Sequence, residues 1–433
     1  MSETTQKPIL VIGGGIAGLT AAIEAAEAGC PVVLIEKKAH LGGRVAQMNQ
    51  YFPKLCPPAC GLEIIFQRLR NNPAVEVLTL AELEELSGRP GDYEATIRLS
   101  PRFVTDACTA CGDCAKVCPE DRANDFDFGF SRTKAAYVPY PGAFPAVYVI
   151  DRAACSPGCK ACAEACAYGA INLSQEPARR KIRVAAVVAA TGWAPYDATR
   201  LENLGFRRYP NVVTNMILER LAAPNGPTGG KILRPSDSKP PQSVAFVQCA
   251  GSRDENHLAY CSAVCCAASL KQVSYIRSLY PEAQVAIFYI DIRTPGLLED
   301  FYQKAAADPK LQLIKGKVAK VEEDPATGDL LITAEDVLQA KKLTRRVNLL
   351  VLATGIVPQT AGLPAALARD EFGFAGNGAG RAGACAAGCV RRPAEVSAVV
   401  RDATGAALKA LQCSSQFSVV SSQLSVERTE TEN

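Results

Sequence analysis

Residues 9–30 read ILVIGGGIAGLTAAIEAAEAGC, and residues 31–36 continue PVVLIE. Four apolar residues make a buried strand. A glycine turn follows, then an alanine-rich helix with Gly29 near its end, then a second apolar strand. Gly13, Gly15 and Gly18 supply G-x-G-x-x-G between the strand and the helix. Glycines there allow a tight turn and a close backbone approach to a pyrophosphate. The helix N-terminus adds N–H groups and a favourable dipole. Glu36 ends the second strand, where a carboxylate can bond ribose hydroxyls. The plainer alternative is a tight turn beside a surface glutamate. The strand before and the helix after favour the dinucleotide reading.

The cysteines are the compositional outlier: 18 among 433 residues, against two histidines, His40 and His257. Cys108, Cys111, Cys114 and Cys118 stand as C-x2-C-x2-C-x3-C-P. Cys155, Cys159, Cys162 and Cys166 repeat the run with one extra residue in the first gap and Ala167 in place of proline. Such runs hold iron–sulfur cubanes, three thiolates from one run and the fourth from the other. The spacing therefore predicts two [4Fe–4S] clusters, one on Cys108, Cys111, Cys114 and Cys166, the other on Cys155, Cys159, Cys162 and Cys118. Paired zinc sites or disulfides are the competing readings, and zinc rarely uses this run. A flavin exchanges electrons in pairs and clusters exchange them singly, so one chain holding both converts between the two.

Cys56 and Cys60 in LCPPACG, Cys249, Cys261, Cys265 and Cys266, and Cys385 and Cys389 leave several uses open: a redox dithiol, a further cluster, or packed thiols. Cys30 and Cys413 read as packed thiols. A second strand–loop–helix–strand unit spans 244–291, but its turn, QCAGSRDENHLAYC, lacks G-x-G-x-x-G. A nicotinamide nucleotide as direct electron donor is disfavoured.

Net charge is +3, too mild to argue for nucleic acid or an anionic membrane surface. No apolar run approaches the roughly 20 residues that span a bilayer. The N-terminal stretch enters a strand with no apolar leader, which points to the cytoplasm. There, crowded cysteines more often hold metal or do redox chemistry than form structural disulfides.

Two ATG turns, at Thr191–Gly192 and Thr354–Gly355, resemble those of two-dinucleotide-binding flavoproteins, as does Gly42–Gly43–Arg44. FAD is the cofactor this likeness implies, with Gly43, Arg44, Thr191, Gly192, Thr354, Gly355 and Gly388 around it. The last is followed by Cys389, where such proteins often have aspartate. The expected fold is α/β, a two-dinucleotide-binding-domain flavoprotein with an inserted two-cluster ferredoxin-like domain. Its expected parts are an FAD-binding domain over 1–100, 179–240 and 346–412, the insertion over 101–178, a second nucleotide-binding-like domain over 241–345, and a disordered polar tail over 413–433.

GGGIAGLTAA, CTACGDCAKVCP, DFDFGF, GPTGGKILRPSD, QCAGSRDE, YCSAVCC and AAGCVRRPAEV together resemble the flavoprotein A subunit of heterodisulfide reductase and its relatives, from about residue 8 to 411. CPPACGLEIIF, DATGAALKALQ and the short length resemble the branch found as the A subunit of quinone-interacting membrane-bound oxidoreductase complexes. That likeness implies an electron-transfer subunit in dissimilatory sulfur metabolism. It implies three partners: adenylylsulfate reductase, a related flavoprotein subunit, plus a membrane quinone-reactive subunit. It also implies a peripheral place on the cytoplasmic face of the membrane. The alternatives are the heterodisulfide reductase A subunit itself or a self-sufficient NAD(P)H-dependent disulfide reductase.

Overall fold

The computed structural model describes residues 6–52, 55–365, 367–376 and 383–414. Of the segment expected to be a disordered tail, 415–433 lies outside these. The described residues hold two five-stranded parallel sheets. In the first, the order is Ala384–Ala386, Ala186–Ala189, Ile9–Ile12, Val32–Glu36, Val75–Thr79. Strand Ile9–Ile12 is central and buried on both faces, as its unbroken apolar run requires. Helix Ile16–Glu27 covers one face. Helix Val396–Leu411 packs in the same core through Val399, Ala403, Ala406, Ala407 and Ala410, small side chains that let two helices lie close.

The second sheet runs Val212–Thr214, Leu349–Thr354, Ser243–Ala250, Gln284–Tyr289, Leu311–Lys315. The chain passes between the sheets through an antiparallel pair, Trp193–Pro195 with Ile356–Pro358. This corrects two expected divisions. Residues 212–214 and 349–354, assigned by sequence to the FAD-binding part, are strands of the second sheet. Fully buried parallel strands look alike in sequence whichever sheet receives them. A three-stranded meander follows, Val318–Glu323, Leu330–Asp336 and Lys341–Val347, its first turn at Asp324–Gly328.

Residues 101–175 carry little regular structure: four-residue helices at Asp113–Lys116 and Ala161–Glu164, and short strand pairs. The strand leading in, Asp92–Leu99, pairs antiparallel with the strand leading out, Ala178–Val184, so the segment leaves and returns at one point. It has a small core of its own, in which Val104, Ala135, Ala136, Ile150 and Ala170 surround Cys114, Cys118 and Cys162. Arg102 ties it to the first sheet by donating to the Ala39 carbonyl (2.7 Å) and Thr79 Oγ1 (2.6 Å). Asp127 ties it to the second body through a buried ion pair with Arg220 at 2.8 Å.

Candidate cofactor site

The glycine turn is built by close contact. Gly13 has φ +106, and a Cβ on it would lie 2.5 Å from the Ala190 carbonyl oxygen. A Cβ on Gly18 would lie 1.8 Å from the Gly13 oxygen, so only glycine lets the helix sit down on the turn. Gly15 precedes the first helical residue and faces open space, its nearest neighbour for a Cβ being Gly43 Cα at 3.8 Å. No acidic side chain occupies the first turn of that helix, which leaves its N–H groups and dipole to an anion. Glu36 accepts from the Gly14 N–H (2.7 Å) and the Lys38 N–H (2.8 Å), which fixes its carboxylate at the end of the second strand.

A cavity of about 540 Å³ opens from this turn, lined by Gly13, Gly15, Glu36, Gly43, Arg44, Thr191 and Gly192. That is the size of a small-molecule or cofactor site. Lys38 and Arg44 are among the cations that line it. Burial, with Arg44 beside it, holds the Lys38 ammonium down to about 8. Burial also lowers Arg44, which is held by the Trp193 carbonyl (3.3 Å) and Gln47 Oε1 (2.9 Å). Both are half-buried; Glu36 and Asp125 already act on Lys38, and a pyrophosphate would add to them and serve Arg44. Thr191 donates to the Gln359 carbonyl at 2.5 Å, joining the two connecting strands behind the cavity. The residues fit a flavin dinucleotide: ribose at Glu36, pyrophosphate at Gly13 and Gly15.

Other expected residues sit elsewhere. Thr354 ends strand Leu349–Thr354 of the second sheet and bonds Asn215 Oδ1 at 3.0 Å. A Cβ on Gly355 would lie 2.2 Å from Ser252 Oγ, so that glycine serves packing. Neither lines the cavity. Gly388 (φ +74) donates its N–H to Asp402 Oδ2 at 2.8 Å and abuts Ala17 on the first helix, while its neighbour Cys389 lines the cavity. Burial pushes the Cys389 thiol up to about 11, and it donates to the Ala394 carbonyl. Cys385 behaves alike against the Ala406 carbonyl.

The far wall was missed by sequence reasoning. Lys271 and Glu219 form an ion pair of 3.0 Å with side chains 5% and 3% exposed, and both line the cavity. Gln272 (2.7 Å) and Tyr275 (3.2 Å) also donate to Glu219, and Lys271 donates to the Gln50 carbonyl (2.5 Å). A lysine and a glutamine on the buried face of helix Cys265–Leu279 were the available signal. Glu395, capping the final helix at Ser397 (2.6 Å) and Ala398 (2.8 Å), lines the cavity too.

All 18 cysteines stand as free thiols. Cys108, Cys111, Cys114 and Cys166 line one small cavity with Tyr148 and Tyr168. Backbone N–H groups of Ala110 and Ala170 point at Cys108 Sγ (3.4 Å) and Cys166 Sγ (3.3 Å). Cys118 stands with Cys155, Cys159 and Cys162: burial first, then these neighbouring sulfurs, raises the Cys162 thiol. Cys114 is pushed up to about 11 by burial and by Cys108, Cys111 and Cys162, which places the two quartets side by side. Among the described residues no three histidine, cysteine, aspartate or glutamate side chains converge on one point as a single ion requires. The first quartet surrounds a volume instead. Cys249, Cys261, Cys265 and Cys266 gather at the end of the second sheet: burial first, then Cys249, Cys266 and Cys261, raises the Cys265 thiol.

Residues 8–67 match the family of FAD-dependent oxidoreductases. The iron–sulfur A subunit of CoB–CoM heterodisulfide reductase from Methanocaldococcus jannaschii is 41% identical over 82% of this chain and 54% of its own length. The A subunit of the H2:CoB–CoM heterodisulfide, ferredoxin reductase of Methanothermobacter marburgensis is 36% identical over 93% and 63%. The chain thus spans about half to two thirds of these relatives. Thioredoxin reductase from Lactococcus lactis superposes with a TM-score of 0.54 at 13% identity, over 94% of this chain and 99% of that one. This likeness shows the two-dinucleotide-binding fold.

Proposed function

With a relationship to the heterodisulfide reductase A subunit over most of the chain as its premise, we propose that this protein is an iron–sulfur flavoprotein subunit that passes electrons between a bound FAD and [4Fe–4S] clusters. The observation that carries the reading is the cavity on the glycine turn, together with two cysteine quartets in an insertion pinned to both sheets. Bound FAD would supply paired-electron chemistry that the clusters divide into single steps. Glu36 would hold ribose, and the Gly13–Gly15 turn with Lys38 and Arg44 the pyrophosphate. Thr191 and Gly192 would border the flavin, and Lys271 with Glu219 would close the opposite wall against water. Cys108, Cys111, Cys114 and Cys166 would hold one cluster, and Cys118, Cys155, Cys159 and Cys162 the other. Cys249, Cys261, Cys265 and Cys266 mark the place for a further one.

The names of the relatives favour a heterodisulfide-reductase-type subunit over the quinone-linked one. No comparison supports a quinone-reactive partner, adenylylsulfate reductase or a role in sulfur metabolism. Those relatives are subunits, which supports assembly with partner chains. Among the described residues no helix is long and apolar enough to cross a membrane, so attachment to one would run through partners. A self-sufficient NAD(P)H-dependent reductase is disfavoured by the second unit, where a long loop separates strand Ser243–Ala250 from helix Cys265–Leu279 in place of a glycine turn.

The test is stepwise anaerobic reduction of Cys118→Ser. The reading predicts loss of one cubane signal with the other cluster and the flavin retained. Unchanged cluster content would overturn the assignment of Cys118.

A further inference from the structure

Cys56 and Cys60 belong to neither quartet, and their surroundings differ from those of the other thiols. Cys60 is exposed and Cys56 half-buried, whereas Cys385 and Cys389 are enclosed and bonded to carbonyls. Helix Pro58–Arg70 begins between them: Cys56 stands just before the capping residue Pro57, and Cys60 is the third helical residue. Both thiols lie close enough to the Tyr51 phenol to act on its charge. The chain ahead folds back so that the Tyr51 N–H donates to the Cys56 carbonyl at 3.2 Å and the Leu55 N–H to the Tyr51 carbonyl at 2.9 Å. The Tyr51 phenol bonds the Cys56 side chain and lies over the first turn, where a Cβ on Gly61 would be 2.6 Å from Tyr51 Oη. Tyr51 and Phe52 also line the cofactor cavity. One tyrosine therefore touches the first thiol, the turn that carries the second, and the cavity.

We propose that Cys56 and Cys60 form a redox dithiol at the rim of the cavity, exchanging an electron pair with the flavin, with Tyr51 as the proton-positioning residue. This rests on the flavin reading above. On reduction the Cys56–Cys60 Sγ–Sγ bond breaks as two electrons arrive from the reduced flavin, which is oxidised in the same step. The Tyr51 hydroxyl gives its proton to Cys56 Sγ and regains one from solvent, and water protonates Cys60 Sγ. On oxidation both protons leave, the electron pair returns, and the bond re-forms. Burial and the Cys56 thiol both hold the Tyr51 phenol above its ordinary range, so it carries the proton at neutral pH. With Cys60 exposed, the pair suits exchange with a thiol or disulfide substrate.

The experiment is thiol trapping on the anaerobic, flavin-loaded chain poised at a series of potentials, with iodoacetamide and peptide mass spectrometry. The expected result is a cross-linked Cys56–Cys60 peptide in the oxidised protein and two alkylated cysteines after reduction. Cys56→Ser should abolish the cross-link and lower electron uptake by one pair per chain, with the flavin spectrum retained. Two alkylated thiols at every potential with flavin bound would overturn the dithiol and leave the flavin reading standing. Thiols that resist both alkylation and cross-linking until iron is chelated would overturn it in favour of cluster ligands. A chain without flavin whose pair cross-links reversibly would overturn the flavin reading and the coupling to it, and leave only the disulfide.

Discussion

At the glycine turn each position does a different job, and single substitutions should separate them. A methyl on Gly18 meets the Gly13 oxygen at 1.8 Å, so Gly18→Ala must push the first helix off its strand. Overpacking of this kind costs about 1–3 kcal/mol, and thermal unfolding should show it in the chain without flavin. Gly15→Ala meets nothing closer than 3.8 Å, so the fold should survive within about 1 kcal/mol, the spread among capping residues. Its methyl would stand where the proposed pyrophosphate approaches, so flavin retention should fall sharply. Lys38 makes a prediction in pH. Its ammonium is held down to about 8 by burial and by Arg44. Below that pH the charge is present and draws an anion; as pH rises through 8 it is lost. FAD affinity of the apoprotein, followed by fluorescence, should therefore weaken from pH 7 to 9, and Lys38→Met should flatten the profile. Gly13, Gly15, Gly18 and Glu36 were legible because one short stretch of chain builds the whole motif. Lys271 and Glu219 were not, because their pairing joins helices more than fifty residues apart in sequence.

Among the elements, the segment DFDFGF sets where the insertion sits. Arg220 is 1% exposed, and its partners are Asp127, the Asn225 carbonyl at 3.1 Å and the face of Phe126 at 4.6 Å. Phe126 in turn stacks on Tyr140 at 4.6 Å, and its carbonyl accepts from Gln47 at 2.8 Å. Removing the carboxylate leaves a buried guanidinium without its counter-charge. Asp127→Ala should cost about 3–5 kcal/mol, measured by denaturant unfolding, and hydrogen exchange should rise across the insertion. Asp127→Asn, which keeps an acceptor, should cost less. Sequence pattern located some elements well: the first strand, the first helix and the second strand follow their apolar runs and glycine turn. It erred where identical signals serve different places. Both ATG turns end buried strands, but Thr191–Gly192 borders the cavity and Thr354–Gly355 packs against Ser252 and Ser262.

Across the whole molecule, the insertion joins a cofactor cavity to two thiol quartets. Arg102 and Asp127 fix it to different sheets, so the cysteines are held at a set distance from the cavity, as electron transfer between fixed centres requires. The eight cysteines proposed as ligands could be picked out in the sequence because cubane spacing is a local property of the chain. The gathering of Cys249 with Cys261, Cys265 and Cys266 was not, since a strand end and a helix start had to be brought together first. The central claim, a flavin joined to clusters in one chain, is tested most directly by flavin, iron and sulfide analysis of the anaerobically purified protein with EPR during reduction. The account predicts one FAD and about eight irons with matching sulfide, or about twelve if the third cysteine group is filled, with interacting cubane signals. Flavin accompanied by zinc and no acid-labile sulfide would contradict it.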